Sequence, residues 1–152
     1  LVQRACASSS SCYGTLSGRL TFSVASAVLT ERNYPVGFAA LLGRVPVVIA
    51  PAGSGLDKFG SAFGDGARRR SAFGLAQEYL NAAQEALWGL CSDGLSLRLL
   101  RDNQSLTRPA WVEADLVRLF EGGLFADFSV LWLLVHESRF GRPGQPPTAC
   151  AL

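Results

Sequence analysis

Ser71-Ala72-Phe73-Gly74-Leu75-Ala76-Gln77-Glu78-Tyr79-Leu80-Asn81-Ala82-Ala83-Gln84-Glu85-Ala86-Leu87-Trp88-Gly89-Leu90-Cys91-Ser92-Asp93-Gly94-Leu95-Ser96-Leu97-Arg98-Leu99-Leu100-Arg101 is the stretch that decides the fold. Ser71 is a helix-capping residue, and Leu75, Ala76, Tyr79, Leu80, Ala83 and Leu87 recur at helical spacing on one face. Gln77, Glu78, Asn81, Gln84 and Glu85 occupy the other side, so the spacing predicts an amphipathic helix of about four turns from Ser71 to Leu87. Trp88 to Ser92 and Leu95 to Arg101 then flank Asp93-Gly94, a hairpin signal, because a type I′ turn needs positive φ at both central residues. In the second strand Leu95, Leu97 and Leu99 are expected to face the core, with Ser96 and Arg98 facing out.

Upstream, Leu20, Phe22 and Val24 alternate with Arg19, Thr21 and Ser23 and predict a half-buried strand over Gly18 to Ala25. Tyr34 to Phe38 is a short second strand that Pro35 keeps at an edge, and Val45 to Ala50 is a buried strand bounded by Pro46 and Pro51. Gly53 to Gly66, with glycines at 53, 55, 60, 64 and 66, is a loop. Downstream, Asp102 to Pro109 is a polar connection and Ala110 to Ala114 a short strand. Asp115 caps a helix over Leu116 to Glu121 that Gly122-Gly123 ends, and Leu124 to Phe140 is a last helix, apolar nearly all round. The expected fold class is α+β: a small mixed sheet with a hairpin, one amphipathic helix packed on it and C-terminal helices, a degenerate nuclease-like layout. The organisation is a poorly specified segment at 1–17, one domain at 18–140 and a Pro/Gly-rich tail at 141–152.

At 152 residues, 49% hydrophobic and 17% charged, the chain has the composition of one globular core. Its net charge of +2, from 14 basic against 12 acidic residues, is far below the excess of a domain that holds nucleic acid mainly by phosphate neutralisation. Lys58 is the sole lysine, a bias attributable first to a GC-rich genome. Cys6, Cys12, Cys91 and Cys150 form no C-x-x-C pair and have no histidine at zinc-finger spacing, so no metal site is expected and Cys91 reads as a buried free thiol. There is no basic-then-apolar leader, and the apolar run Val130 to Val135 is too short to span a bilayer, which gives a cytoplasmic expectation without a membrane partner. The start at Leu1 and the absence of methionine fit an excised domain, a partial gene or a non-standard start.

Few motifs carry chemistry. The Gly-rich loop lacks both G-x-x-x-x-G-K-[ST] and G-x-G-x-x-G, so it reads as an irregular surface loop rather than a phosphate cradle. His136 and Glu137 are helix neighbours that point in different directions, and Gly60 to Gly64 lacks the spacing of a nucleophile elbow. A magnesium nuclease needs an Asp on one strand and [Asp/Glu]-x-Lys on the next. Here Asp57 is directly beside Lys58, and Leu56 stands where the second carboxylate belongs; Asp57 and Lys58 are at most inactive remnants. Arg68, Arg69 and Arg70 with Arg98, Arg101 and Arg108 are the candidates for a DNA-backbone surface, against the plainer reading of solvated arginines. Arg98 and Arg101 point to opposite sides of an ideal strand, which weakens that patch.

The run from Gln77-Glu78-Tyr79-Leu80-Asn81 through Leu87 to Asn103 continues in Ser105 to Arg108, Glu113 to Leu116, Phe120-Glu121-Gly122, Phe125 to Phe128, Leu131 to Leu134 and Ser138-Arg139-Phe140. It resembles the N-terminal region of fused, type IIG-like restriction–modification adenine methylases. Pro46 to Asp57 is similar to the segment that precedes these elements, and the likeness stops near Phe140. The resemblance implies a bacterial protein in which this region, often nuclease-like, precedes a methylase domain and a target-recognition domain. There S-adenosylmethionine would supply a methyl group to the N6 of a flipped adenine in double-stranded DNA. Magnesium would serve any nuclease step. No Asn-Pro-Pro-Tyr or Asp-Pro-Pro-Tyr loop and no glycine-rich cofactor turn occurs in the chain, so no catalytic residue carries over. The expected role is therefore a non-catalytic fragment, with no cofactor of its own, that supports the remainder of the parent methylase. The alternative is a small free-standing nuclease-derived DNA-binding protein or a degenerate PD-(D/E)xK endonuclease.

Overall fold

A computed structural model describes residues 22–24, 27–29, 32–60, 63, 69–102, 107–142 and 145–146. It has an α+β architecture. Strands β1 (Phe22–Val24), β4 (Phe38–Ala40), β5 (Val45–Ile49), β6 (Trp88–Ser92), β7 (Ser96–Arg101) and β8 (Ala110–Asp115) form one six-stranded sheet in the order β1-β4-β5-β6-β7-β8. A separate two-stranded ribbon joins β2 (Ala27–Leu29) to β3 (Arg32–Tyr34). All pairings in the large sheet are antiparallel except β5 with β6, whose parallel register (Val47 opposite Leu90) is spanned by helix α1 (Ala72–Ala82). A parallel pair needs such a crossover, whereas β6 and β7 need only a turn.

Helix α1 starts where the capping signal placed it: the Ser71 hydroxyl accepts from the Gly74 amide at 3.0 Å. It covers one face of the sheet with Leu75, Ala76, Tyr79 and Leu80, which join Val48, Cys91 and Leu100 in a buried cluster. It is shorter than its periodicity suggested, because Ala83 turns extended (φ −94, ψ 100) and leaves Leu87 beyond the helix. Helices α2 (Leu116–Glu121) and α3 (Phe125–Val135) follow β8 on the opposite face, where Val45, Val47, Leu90, Leu99 and Phe140 make a second cluster, with Leu134 and Val135 against it. Asp115 caps α2 by accepting from the Arg118 amide at 2.9 Å, and Gly122 closes it.

Several local expectations are corrected. The strand expected at Tyr34 to Phe38 is two strands, separated by Pro35, Val36 and Gly37, the last at φ +77. Pro46 lies inside β5 rather than at its boundary; it is paired to Ala39 of β4, and the parallel ladder to β6 begins one residue later. The last helix ends at Val135, since His136 is extended (ψ 140) and its Nδ1 accepts from the Ser138 amide before a single 3₁₀ turn over Glu137–Arg139. Within the strand expected over Gly18 to Ala25, only β1 falls among the described residues.

The turn between β4 and β5 holds Leu41 and Leu42 at φ +51 and +59, in left-handed backbone that costs a branched side chain about 1 kcal/mol or more. Leu42 is largely exposed and loses little packing on replacement. Leu42→Asn, which tolerates this conformation, is therefore expected to raise stability by about 0.5–1 kcal/mol in urea unfolding; a loss of stability would show that the leucine side chain is held by contacts outweighing its strain.

Candidate functional site

The most structured polar cluster forms around Arg98. On β7 this residue lies on the α1 side of the sheet, directly opposite Glu113 of β8. Its guanidinium donates from Nη1 and Nη2 to the two oxygens of Asp57 at 2.8 and 2.9 Å, and from Nε and Nη2 to Glu113 Oε2 at 2.8 and 2.6 Å. Its carbon atom Cζ is 4.8 Å from the centre of the Phe73 ring and 5.3 Å from that of Trp111, and these two rings meet edge to face. Guanidinium suits the place because its flat fork matches a carboxylate in two-point contact while its face stacks on aromatic rings. The Arg98 side chain is 7% exposed, against 67% for Asp57 and 40% for Glu113, so a buried cation is neutralised by carboxylates at the solvent boundary. The hydrogen bonds from Arg98 hold the Asp57 carboxyl below its ordinary range, and the two carboxylates raise the arginine further.

The expectation that Arg98 faces solvent is thus overturned. Sheet alternation was read as though one face were wet, but helices cover both faces, so Leu97 and Leu99 serve one cluster while Arg98 and Leu100 lie on the other side. Leu95, expected inside, lies in the turn and is half-exposed.

Asp93 ties the Gly-rich loop to the hairpin. Its buried carboxylate accepts from the amides of Gly55, Leu95 and Ser96 at 2.9, 3.1 and 2.9 Å. Its desolvation, which alone would raise the carboxyl, is outweighed by these backbone donors, and it is held below the usual range. Gly53 donates to the Asp93 carbonyl at 3.0 Å, and Phe73 to the Leu56 carbonyl at 3.1 Å. Over its described residues the loop is irregular, as its glycines imply, yet pinned at Gly53, Gly55 and Leu56. Gly94 alone has positive φ at this turn (+82), so Gly94 and Leu95 are its central residues and Asp93 flanks it; the turn has the positive-φ pattern of type II′ rather than type I′.

The other sequence candidates do not converge on Arg98. Lys58 and Arg69 are exposed, and Arg108 is exposed after the 103–106 segment. Arg70 pairs with Glu78 at 3.0 Å. Arg101 stacks on Trp88 at 5.3 Å, its cross-strand partner. Arg68 lies outside the described residues, as do Cys6, Cys12 and Cys150. Cys91 is fully buried, and desolvation pushes its thiol up to about 12, which makes it a poor nucleophile at neutral pH. Among the described residues no three acidic, histidine or cysteine side chains gather to hold a metal ion. Asp57 and Glu113, the carboxylates nearest to such an arrangement, do not fit magnesium, because the Arg98 guanidinium lies between them.

No family model, curated protein or solved structure matches the chain. No helix among the described residues is long and apolar enough to cross a membrane. The sequence carries no local signal that marks Glu113 or Asp93 as site residues. Only the register of β8 against β7 brings Glu113 to Arg98, and that register is set by a connection that carries no turn signal. A further buried cation, Arg44, donates to the carbonyls of Arg142 (2.6 Å) and Gln145, which fastens the first residues of the Pro/Gly-rich tail beneath the sheet.

Proposed function

We propose that this chain is the non-catalytic scaffold that precedes the methylase of a fused restriction–modification adenine-specific DNA methyltransferase of the bacterial cytoplasm. The observation that carries the reading is that the two segments resembling that family are one packed unit. The segment from Pro46 to Asp57 supplies β5, which pairs with β6, and the segment from Gln77 to Phe140 supplies the hairpin, β8 and both later helices. Phe140, where the likeness stops, is buried under the same sheet. A second support is apolar surface. No residue of α3 is buried, while Phe125, Val130, Trp132 and Leu133 are each more than half exposed, as on a piece that meets the rest of a larger protein.

Within this role, the cluster of Asp57, Arg98 and Glu113 acts as a structural clamp that ties the Gly-rich loop to β7 and β8. Base flipping and methyl transfer would belong to the remainder of the parent, and contact with duplex DNA through this unit would be limited to exposed arginines such as Arg69 and Arg108.

The test is direct. The genomic reading frame beyond Leu152 is expected to encode an Asn-Pro-Pro-Tyr or Asp-Pro-Pro-Tyr loop, and the purified chain is expected to leave duplex DNA uncut in magnesium. A downstream region with no methylase in any frame, or cutting that Asp57→Ala abolishes, would overturn the proposal.

A further inference from the structure

Among the described residues strand β8 ends the sheet and nothing pairs with its outer edge: Ala110, Trp111, Val112, Glu113 and Asp115 are all exposed. Because the Leu116 amide donates to the Leu95 carbonyl at 2.8 Å, the alternation of an antiparallel ladder turns Val112 and Ala114 toward β7. The N–H and C=O groups of Trp111 and Glu113 then point outward. Edge strands are ordinarily protected by lysine, proline, a bulge or an unpaired charge. Here the run 110–115 contains neither lysine nor proline, and its register with β7 is unbroken over six residues. Of its two outward-facing carboxylates, Glu113 is ion-paired to Arg98 while Asp115 stands at the end of the strand as the cap of α2.

We infer that this edge pairs with the same edge of a second copy of the chain, antiparallel, about a two-fold axis at Val112. The register follows from the residues. A two-fold pairing must bring outward-facing residues opposite one another. An axis at Glu113 sets Glu113 against itself and Trp111 against Asp115, and an axis at Ala114 sets Glu113 against Asp115; like charges directly opposite are destabilising. An axis at Trp111 sets Glu113 against Pro109, which has no N–H to give. An axis at Val112 pairs Trp111 with Glu113 of the other copy on both sides of the axis, sets no carboxylate directly against another, and meets Pro109 only at the two ends of the ladder, opposite Asp115. It also sets the two Val112 side chains together on the α3 side of the sheet, in a close pair whose Cα atoms are about 4.5 Å apart. Val112 is 53% exposed and lines a cleft of about 460 Å³ with Leu119, Leu124 and Val130, so each copy would cover apolar surface of the other. The sheet becomes continuous across the pair.

This inference is independent of the methylase reading and has its own test. The purified chain is expected to sediment as a concentration-dependent dimer, and Val112→Lys, which places two ammonium groups at the axis, to sediment as a monomer with an unchanged circular dichroism spectrum. In a chain with Cys6, Cys12 and Cys150 replaced by serine, Val112→Cys is expected to form a disulfide-linked dimer on mild oxidation, since a close cross-strand pair suits a disulfide, while Ala110→Cys is not. A wild-type chain that stays monomeric at all accessible concentrations, a dimer that survives Val112→Lys, or cross-linking no better at Val112 than at Ala110 would each overturn it. The cysteine comparison decides the matter even if the lysine variant fails to fold.

Discussion

Arg98→Ala is expected to destabilise the fold by about 2–4 kcal/mol, measured by urea unfolding at neutral pH. Breaking a buried ion pair is costly chiefly when a charge is left unpaired away from water. The partners of Arg98 are not so placed, because Asp57 and Glu113 remain substantially exposed and would be hydrated after the substitution. The loss instead comes from the stem and stacked guanidinium that fill the space between Phe73 and Trp111, and from release of Asp57 and its loop. Arg98→Met, which keeps the stem, is expected to recover part of the loss, whereas Arg98→Lys keeps the charge without the two-point contact. The acid limb gives a separate readout. Arg98 depresses the Asp57 carboxyl in the folded state below its unfolded value of 3.8, so the linked stability is present above that value and lost as pH falls through the lower folded one. The gap between wild type and Arg98→Ala should therefore narrow in strong acid by the part linked to Asp57, while the part owed to packing against Phe73 and Trp111 persists. A constant difference across that range, or wild-type stability in Arg98→Ala at neutral pH, would refute the clamp.

Elements defined by local chemistry were legible in the sequence. Ser71, Asp115 and Gly122-Gly123 mark helix ends through bonds made within a few residues, and α1 begins, and α2 begins and ends, at those marks. The hairpin was legible for the same reason, but its turn was placed one residue early, because the Asp93 side chain accepts the Ser96 amide and moves Asp93 out of the central pair. The candidate site was largely illegible. Its two carboxylates belong to a loop and a strand 41 and 15 residues from Arg98, and they meet only when the sheet order is known. Arginine in a strand was read as an outward polar residue, a rule that fails when aromatic rings and paired carboxylates line the inner face. The end of α3 was not legible because no glycine or proline stands between His136 and Phe140, and what ends the helix is a side-chain bond to the backbone that hydropathy does not register.

The two eleven-residue helices should respond unequally to the same substitution. Leu75→Ala in α1 is expected to cost about 2–5 kcal/mol, since Leu75 is fully buried beneath the sheet and its removal leaves a cavity that α1, fixed at one end by the Ser71 cap, is poorly placed to fill. Leu133→Ala in α3 is expected to cost less than about 1 kcal/mol, since Leu133 is 53% exposed and alanine favours the helix. Hydrophobicity alone predicts the reverse, because α3 is the more apolar of the two. Burial decides: an apolar side chain stabilises a fold only through the surface it removes from water, and α3 touches the second cluster through Leu134 and Val135 alone. Equal losses at the two positions in the isolated chain would mean that α3 is covered in solution by something that the fold of one chain does not supply.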